Sequence, residues 1–508
     1  MSDAQATGTT QPSAARWRRR VTLGLLALLA VGLLLLIPDP SPLPPTPARG
    51  EVFAWNQDEV WEALEARSLA VRAMPVPEAE GHVSEALGAL VAALAELQTL
   101  SLTTHPVLGA AEQALLLRVE GAFFEAAATL AARPARAAEL VSLQSQLRQH
   151  MKQLSRALPP SDPVARRALY RTLYGSRAAL EEVLLQMPAD TMPALSEGVA
   201  ETSAAPSATL RGVTVHSGDI LVSRGGAPTS ALIARGNDYP GNFSHVALLH
   251  IAPSGEVETI EAHIERGVVV AGIERYLSDH KLRVMLLRPR ADHEALRARP
   301  DLAHAAAVRA REATLARHIP YDFEGNRRDP SQQFCSEVVS AAYGAEGLSL
   351  WEGLTTTSDP DTARWLGAFG VREFVTHGPS DLEYDPKLTV VAEWRDPEAL
   401  FADHVDAAVI DALLEGARRG DSVVHDWRML PMARVMKGYS ALLNLFGRVG
   451  PVPEGMTATV ALRVRALHEL HAGIRQRVET TASAFEREHG YRAPYWELVR
   501  LAREARGD

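Results

Sequence analysis

The sequence predicts an α+β protein. A small antiparallel sheet packs on a helix that begins at the only cysteine of 508 residues, and helical regions flank that core on both sides. Three observations carry this expectation. From about Val52 to Met187 apolar residues recur every three to four positions in an Ala-, Leu-, Glu- and Arg-rich background, the period of amphipathic helices. Between residues 211 and 396 the texture changes to short aliphatic runs separated by Gly, Pro and Ser turns, which reads as strands. Beyond Pro397 the helical spacing returns.

Composition bounds the rest. The length suggests two to four domains. Hydrophobic content of 46% with 22% charge allows a sizeable core, and a net charge of −10 speaks against a nucleic-acid-binding body. One cysteine rules out an intrachain disulfide and a Cys-rich zinc site. His82, His105 and His150 share no metal-ligand spacing, so neither a metal nor a cofactor is expected.

In chain order, residues 1–20 read as a cytoplasmic tail ending in Arg16-Trp17-Arg18-Arg19-Arg20. Residues 21–37 carry no charge and would span about 25 Å as a helix, at the low end for a bilayer. With basic residues before them they are expected to be an uncleaved signal anchor, holding the bulk of the chain on the periplasmic side of the inner membrane. A cleaved signal peptide is the rival, but Pro38-Asp39-Pro40 follows at once and Thr46-Pro47-Ala48 is a poor cleavage site. Residues 38–50 are a Pro-rich, stiff spacer. Residues 51–187 form a bundle of about four to six helices, with breaks at Pro75-Val76-Pro77, Thr103-Thr104-His105-Pro106 and Pro159-Pro160. Residues 188–210 are a linker. Residues 211–396 form the sheet-bearing domain, and 397–508 a helical extension that shows no chemistry of its own.

The chemistry centres on Phe334-Cys335-Ser336-Glu337-Val338-Val339. A turn cluster, Asp329-Pro330-Ser331, precedes it, and Val338, Val339, Ala342 and Tyr343 follow at helical spacing. Cys335 is thus expected in the first turn of a helix, where the dipole favours thiolate and unpaired backbone N–H groups can hold an anion. A buried, inert cysteine is the plain alternative. A nucleophile needs a base and something to orient that base. His245 lies on a strand with apolar residues on both faces, so which face meets the Cys helix is open. A hairpin register centred on Ser254 puts His245 opposite His263, with Glu261 diagonal to it. Either could orient His245.

Gly218-Asp219-Ile220-Leu221, Ser244-His245-Val246-Ala247, Glu261-Ala262, Pro320-Tyr321-Asp322 and the Cys335 segment occur in that order. The set resembles the circularly permuted papain-like hydrolases of the NlpC superfamily, specifically the YaeF/YiiX group, over about residues 212–395. Ala247 and Val338 stand where the pattern has Gly and Leu. The resemblance implies a permuted papain-like fold, with Cys335 as nucleophile, His245 as base and Glu261 as the third member. His263 is the alternative third residue, and Tyr321 is a candidate wall of the substrate groove. It further implies a cysteine hydrolase acting on an amide, with a cell-wall peptide as partner. Two other readings are a lipid acyl hydrolase or acyltransferase of the lecithin-retinol-acyltransferase-like type, and a catalytically idle envelope scaffold.

Overall fold

The computed structural model describes residues 14–37, 39, 46–54, 57–102, 108–279 and 281–507. The start of the expected tail, most of the Pro-rich spacer and the break at Thr103–Pro106 lie outside these residues.

The first helix, α1 (Ala14–Leu34), takes the arginine cluster into its own first turns. Its charge-free part, Val21–Leu34, is about 21 Å long at 1.5 Å per residue, against about 30 Å of bilayer hydrocarbon. The chain then turns through Leu35 to Ile37 instead of continuing the helix. Among the described residues no helix is long and apolar enough to cross a membrane. This overturns the expected transmembrane anchor at 21–37. With it go the membrane as a partner through the N-terminal helix and the inner-membrane, periplasm-facing placement. Counting uncharged residues overestimated the span because three of them lie beyond the helix end.

Five helices follow: α2 (Gln57–Ala73), α3 (Val76–Thr99), α4 (Ala110–Ala132), α5 (Ala137–Leu154) and α6 (Pro163–Leu185). The apolar stripes of α3 to α6 meet in one core that includes Leu90, Leu97, Phe123, Leu147 and Leu180, and α2 is seated against it through a small cluster of Val71, Ala79 and Ala132. The start of α6 is set by Asp162, whose carboxylate accepts the Ala165 N–H at 2.8 Å, with Pro163 at the first helical position.

The strands are β1 (Leu195–Glu197), β2 (Ser207–Leu210), β3 (Val213–His216), β4 (Ile220–Gly225), β5 (His245–Ile251), β6 (Val257–His263), β7 (Gly267–Gly272), β8 (Lys281–Pro289), β9 (Thr355–Thr356), β10 (Val375–Thr376) and β11 (Leu388–Arg395). Seven of them form an antiparallel sheet in the order β1-β11-β8-β4-β5-β6-β7. The segment 188–210, read as a linker, supplies β1 to the edge of this sheet and β2 to a hairpin with β3. Helices α7 (Pro228–Arg235), α8 (Ile273–Ser278), α9 (Glu294–Ala298), α10 (Leu302–Ala316), α11 (Cys335–Ala345) and α12 (Pro360–Gly367) lie among the strands.

Both faces of the sheet are covered. Val246 and Leu248 of β5, Ile260 and Ala262 of β6 and Met285 of β8 pack with α10 and with Cys335, Val338, Val339 and Tyr343 of α11. Ala247, Leu249, Leu221 and Leu286 point the other way, under the β2–β3 hairpin and α8. The face carrying Val246 and Leu248 is therefore the one that meets the Cys helix.

The extension consists of α13 (Leu400–Arg418), α14 (Leu430–Asn444), α15 (Ala458–His489) and α16 (Tyr495–Arg506). Helices α13, α15 and α16 share a core with Leu232 of α7 and Trp365 and Leu366 of α12, so the extension is seated on the sheet-bearing domain. The chain is thus α+β, with a helical N-terminal region and an antiparallel sheet.

The bundle joins the sheet through buried charge. Arg283 of β8 donates to Glu181 of α6 at 2.5 and 3.0 Å and to Asp403 of α13 at 2.6 Å. Glu393 of β11 accepts from Arg148 of α5 at 2.7 Å and lies 3.1 Å from Arg395. Arg177 of α6 pairs with Glu383. Each of these side chains is at most 5% exposed. Buried ions need partners of this quality, because each loses its hydration.

Candidate active site

The α11 helix starts where Phe334 takes an extended conformation (φ −92°, ψ 174°) as N-cap, and Glu337 reaches back to accept the Phe334 N–H at 3.0 Å. Cys335 is the first helical residue. Its N–H and that of Ser336 have no carbonyl one turn earlier to pair with, so they face the space before the helix. Cys335 is 5% exposed and lines a cavity of about 700 Å³.

His245 is the first residue of β5, at the strand end. Its Nε2 lies 2.6 Å from Glu261 Oε2, and the ring lies near enough to the Cys335 thiol for the two to interact, with Nδ1 the nitrogen left free for the sulfur. The β5–β6 register pairs Leu248 with Ile260 and Ile251 with Val257, so it is centred on Ser254. Glu261 is 2% exposed and also accepts from Thr259 Oγ1 at 3.0 Å. His263 Nε2 is 3.5 Å from Glu261 Oε1, and its ring centroid is 5.9 Å from that of His245. His263 is thus linked to His245 through the Glu261 carboxylate. The structure therefore brings Cys335, His245 and Glu261 together in that order of contact, with His263 behind the carboxylate.

The electrostatics follow from these contacts. Burial alone would lower the His245 pKa, but hydrogen bonds to Cys335 and Glu261, and their charges, outweigh it and raise it to about 9. Glu261 is held well below the usual carboxylate range; burial opposes this, and His245 and His263 overcome it. Glu337 behaves in the opposite sense. Burial, helped by the charges of Asp322 and Asp329, pushes it up to about 8 against the Phe334 N–H and the Arg327 charge. At neutral pH the N-terminal turn of α11 thus carries a neutral carboxyl group, which adds no negative charge beside the sulfur.

That shift has a consequence for stability. Between pH 4.5, the ordinary carboxyl value, and about 8 the folded chain holds a proton that the unfolded chain releases, so this group makes stability fall as pH rises. Glu337→Gln keeps an acceptor for the Phe334 N–H and removes the titration. The melting temperature of the parent is expected to fall more steeply than that of the variant from pH 5 to pH 9. Parallel slopes would show that Glu337 is not the group responsible.

Tyr321 lines the cavity beside Cys335 and packs edge-on against Phe323, with ring centroids 4.9 Å apart. It is held by a bridge to Gln333, just before the Cys helix. Asp322 accepts the N–H groups of Glu324 and Gly325 at 2.8 and 3.1 Å and so shapes the turn. Asp219 is taken up by Arg288, which donates to both its oxygens at 2.7 Å. Among the described residues no group of three or more His, Cys, Asp or Glu side chains is arranged to hold a metal.

Two features of the site escaped the sequence reading. Thr259 was legible as the residue two before Glu261, on the same strand face. The cavity walls were not, because they come from far along the chain. Leu366, Phe369 and Phe374, around α12, and Met456, Val464 and Leu467, at and before α15, all contribute. The extension is therefore a wall of the site rather than an appendage. The backbone at Gly455 lies against the Phe323 ring so closely that an added Cβ would sit 2.7 Å from it.

No family model, curated protein or solved structure matches the chain. The case for its chemistry rests on the geometry above.

Proposed function

We propose that the protein is a thiol hydrolase of the permuted papain-like kind that cleaves an amide or ester through a thioester. The observation that carries this reading is His245, hydrogen-bonded to a buried carboxylate and set beside the only cysteine. One proton is shared between the Cys335 sulfur and the His245 ring. When it resides on the ring, the sulfur is free to attack an acyl carbon and the imidazolium is the acid for the leaving group. Glu261 fixes the tautomer that turns Nδ1 to the sulfur and stabilises the ring's positive charge. The first-turn N–H groups of α11 are placed to hold the oxyanion. Water then resolves the thioester. The motif resemblance points to a cell-wall peptide, whereas the apolar walls beside Cys335 favour the lipid-acyl reading.

Because Cys335 has no competing thiol, its alkylation by iodoacetamide tests the pair directly. The native protein should take up one equivalent at neutral pH, and His245→Ala should slow the reaction about tenfold or more. If labelling proceeds only in denaturant, Cys335 is a core residue and the catalytically idle scaffold becomes the better description.

A further inference from the structure

The cavity next to the nucleophile is built for an aliphatic occupant. Leu232 and Ile233 of α7, Phe369 and Phe374 around α12, and Val464 and Leu467 of α15 form its walls. Its volume of about 700 Å³ lies within the range of pockets that enclose whole small ligands. Along α15 the lining runs from Ala461 to Ala472, about 16 Å at 1.5 Å per residue, a wall as long as an extended fatty acyl chain.

Little charge is offered inside. Arg465 and Glu469 pair with each other at 2.8 Å, and with side chains 63% and 64% exposed they sit at the solvent rim. Glu265 and Glu373 are exposed as well, and Asp322, the buried carboxylate of the lining, has one oxygen taken up by the N–H groups of its own turn. Two imidazoles face inward, and both are kept neutral by burial: His377 is pushed down to about 4 and His468 is lowered. A space walled mainly by aliphatic and aromatic side chains is a poor host for the carboxylates and amines of a wall peptide, which would lose hydration there.

We infer that this cavity holds the long alkyl chain of an acyl donor, so that the substrate is a lipid ester or lipid amide with its carbonyl at Cys335. The chemistry rests on the thiol-hydrolase reading; the binding does not. In the first step Sγ of Cys335 bonds to the carbonyl carbon, the bond to the leaving alcohol or amine breaks, and the His245 proton goes to that group. In the second, water adds to the thioester carbon and gives one proton to His245. The C–S bond breaks, the fatty acid leaves, and the proton is again shared by sulfur and ring. The net reaction consumes one water and needs no other reactant.

Two measurements separate the inference from the reading on which it rests. With p-nitrophenyl esters from butyrate to hexadecanoate, kcat/KM should rise roughly tenfold for every two methylenes until the cavity is full. Val464→Trp and Ala461→Phe, which place bulk in the cavity, should cut kcat/KM for the long esters by at least tenfold and flatten its rise with chain length. Equal melting temperatures would show that both variants are folded. Separately, Cys335→Ala, which cannot turn over, should bind a fluorescent long-chain fatty acid, and palmitate should displace it while butyrate does not. Chain-length-independent turnover, with neutral variants and no fatty-acid binding, would overturn the inference and leave the hydrolase reading standing. Fatty-acid binding by Cys335→Ala without any turnover by the parent would do the reverse.

Discussion

Glu261→Gln is expected to lower turnover by about 10²–10⁴-fold with the fold intact, the scale of losing a triad carboxylate. The glutamine keeps its one carbonyl oxygen as acceptor for His245 Nε2–H, and its NH2 group can donate to Thr259 Oγ1, so the hairpin retains its hydrogen bonds. What disappears is the negative charge, buried at 2% exposure, that helps hold His245 at about 9. The pH profile carries the sign. The imidazolium is present below about 9 and is lost above it, so parent activity should fall on an alkaline limb near that value. In Glu261→Gln this limb should move to lower pH. His263→Ala removes a group that lies 3.5 Å from the far oxygen of Glu261, and should cost much less. A dead His263→Ala beside a near-normal Glu261→Gln would reverse the assignment of the third residue.

The second large effect concerns stability. Glu393→Gln is expected to cost about 3–5 kcal/mol, read from urea midpoints, because it leaves Arg148 and Arg395 buried with a neutral neighbour. Burial alone would raise the Glu393 pKa, but Arg395, Arg177 and Arg148 outweigh it and hold the group at about 2. Its contribution is thus complete above pH 4.5 and is lost as pH falls toward 2. The parent should lose stability over that acid window, and the variant should lose less there. A change below 1 kcal/mol would mean that water reaches the arginines and that the network is not closed.

How far the sequence could be read follows from the same residues. The β5–β6 hairpin was legible because Pro253-Ser254-Gly255 marks its turn and β-branched residues flank it. The face of β5 that meets α11 was not, because Val246 and Leu248 are as apolar as Ala247 and Leu249 and both sets are buried. The end of α1 was misjudged by hydropathy, which counts residues but does not sense where a helix turns. The ion network stayed hidden for another reason. Arg148, Arg177 and Glu181 occur in helices full of Arg and Glu, and only the sheet packed against them distinguishes buried charges from solvated ones. Cys335, His245 and Glu261 were put together by the motif resemblance; the hairpin register alone left open whether Glu261 or His263 orients His245. The cavity draws on residues from 229 to 472, a separation over which no local pattern operates.

The charged seam between bundle and sheet also leaves a mark in sequence. A sheet of this topology standing alone would present Arg283, Glu393 and Arg395 to water or to apolar neighbours, with no Arg148 or Glu181 to answer them. Chains that carry the same hairpin and Cys helix without the preceding helices should therefore show apolar or small polar residues at those three strand positions. Charge there would serve as a signature, readable from strands alone, that a helical partner was inherited along with the sheet.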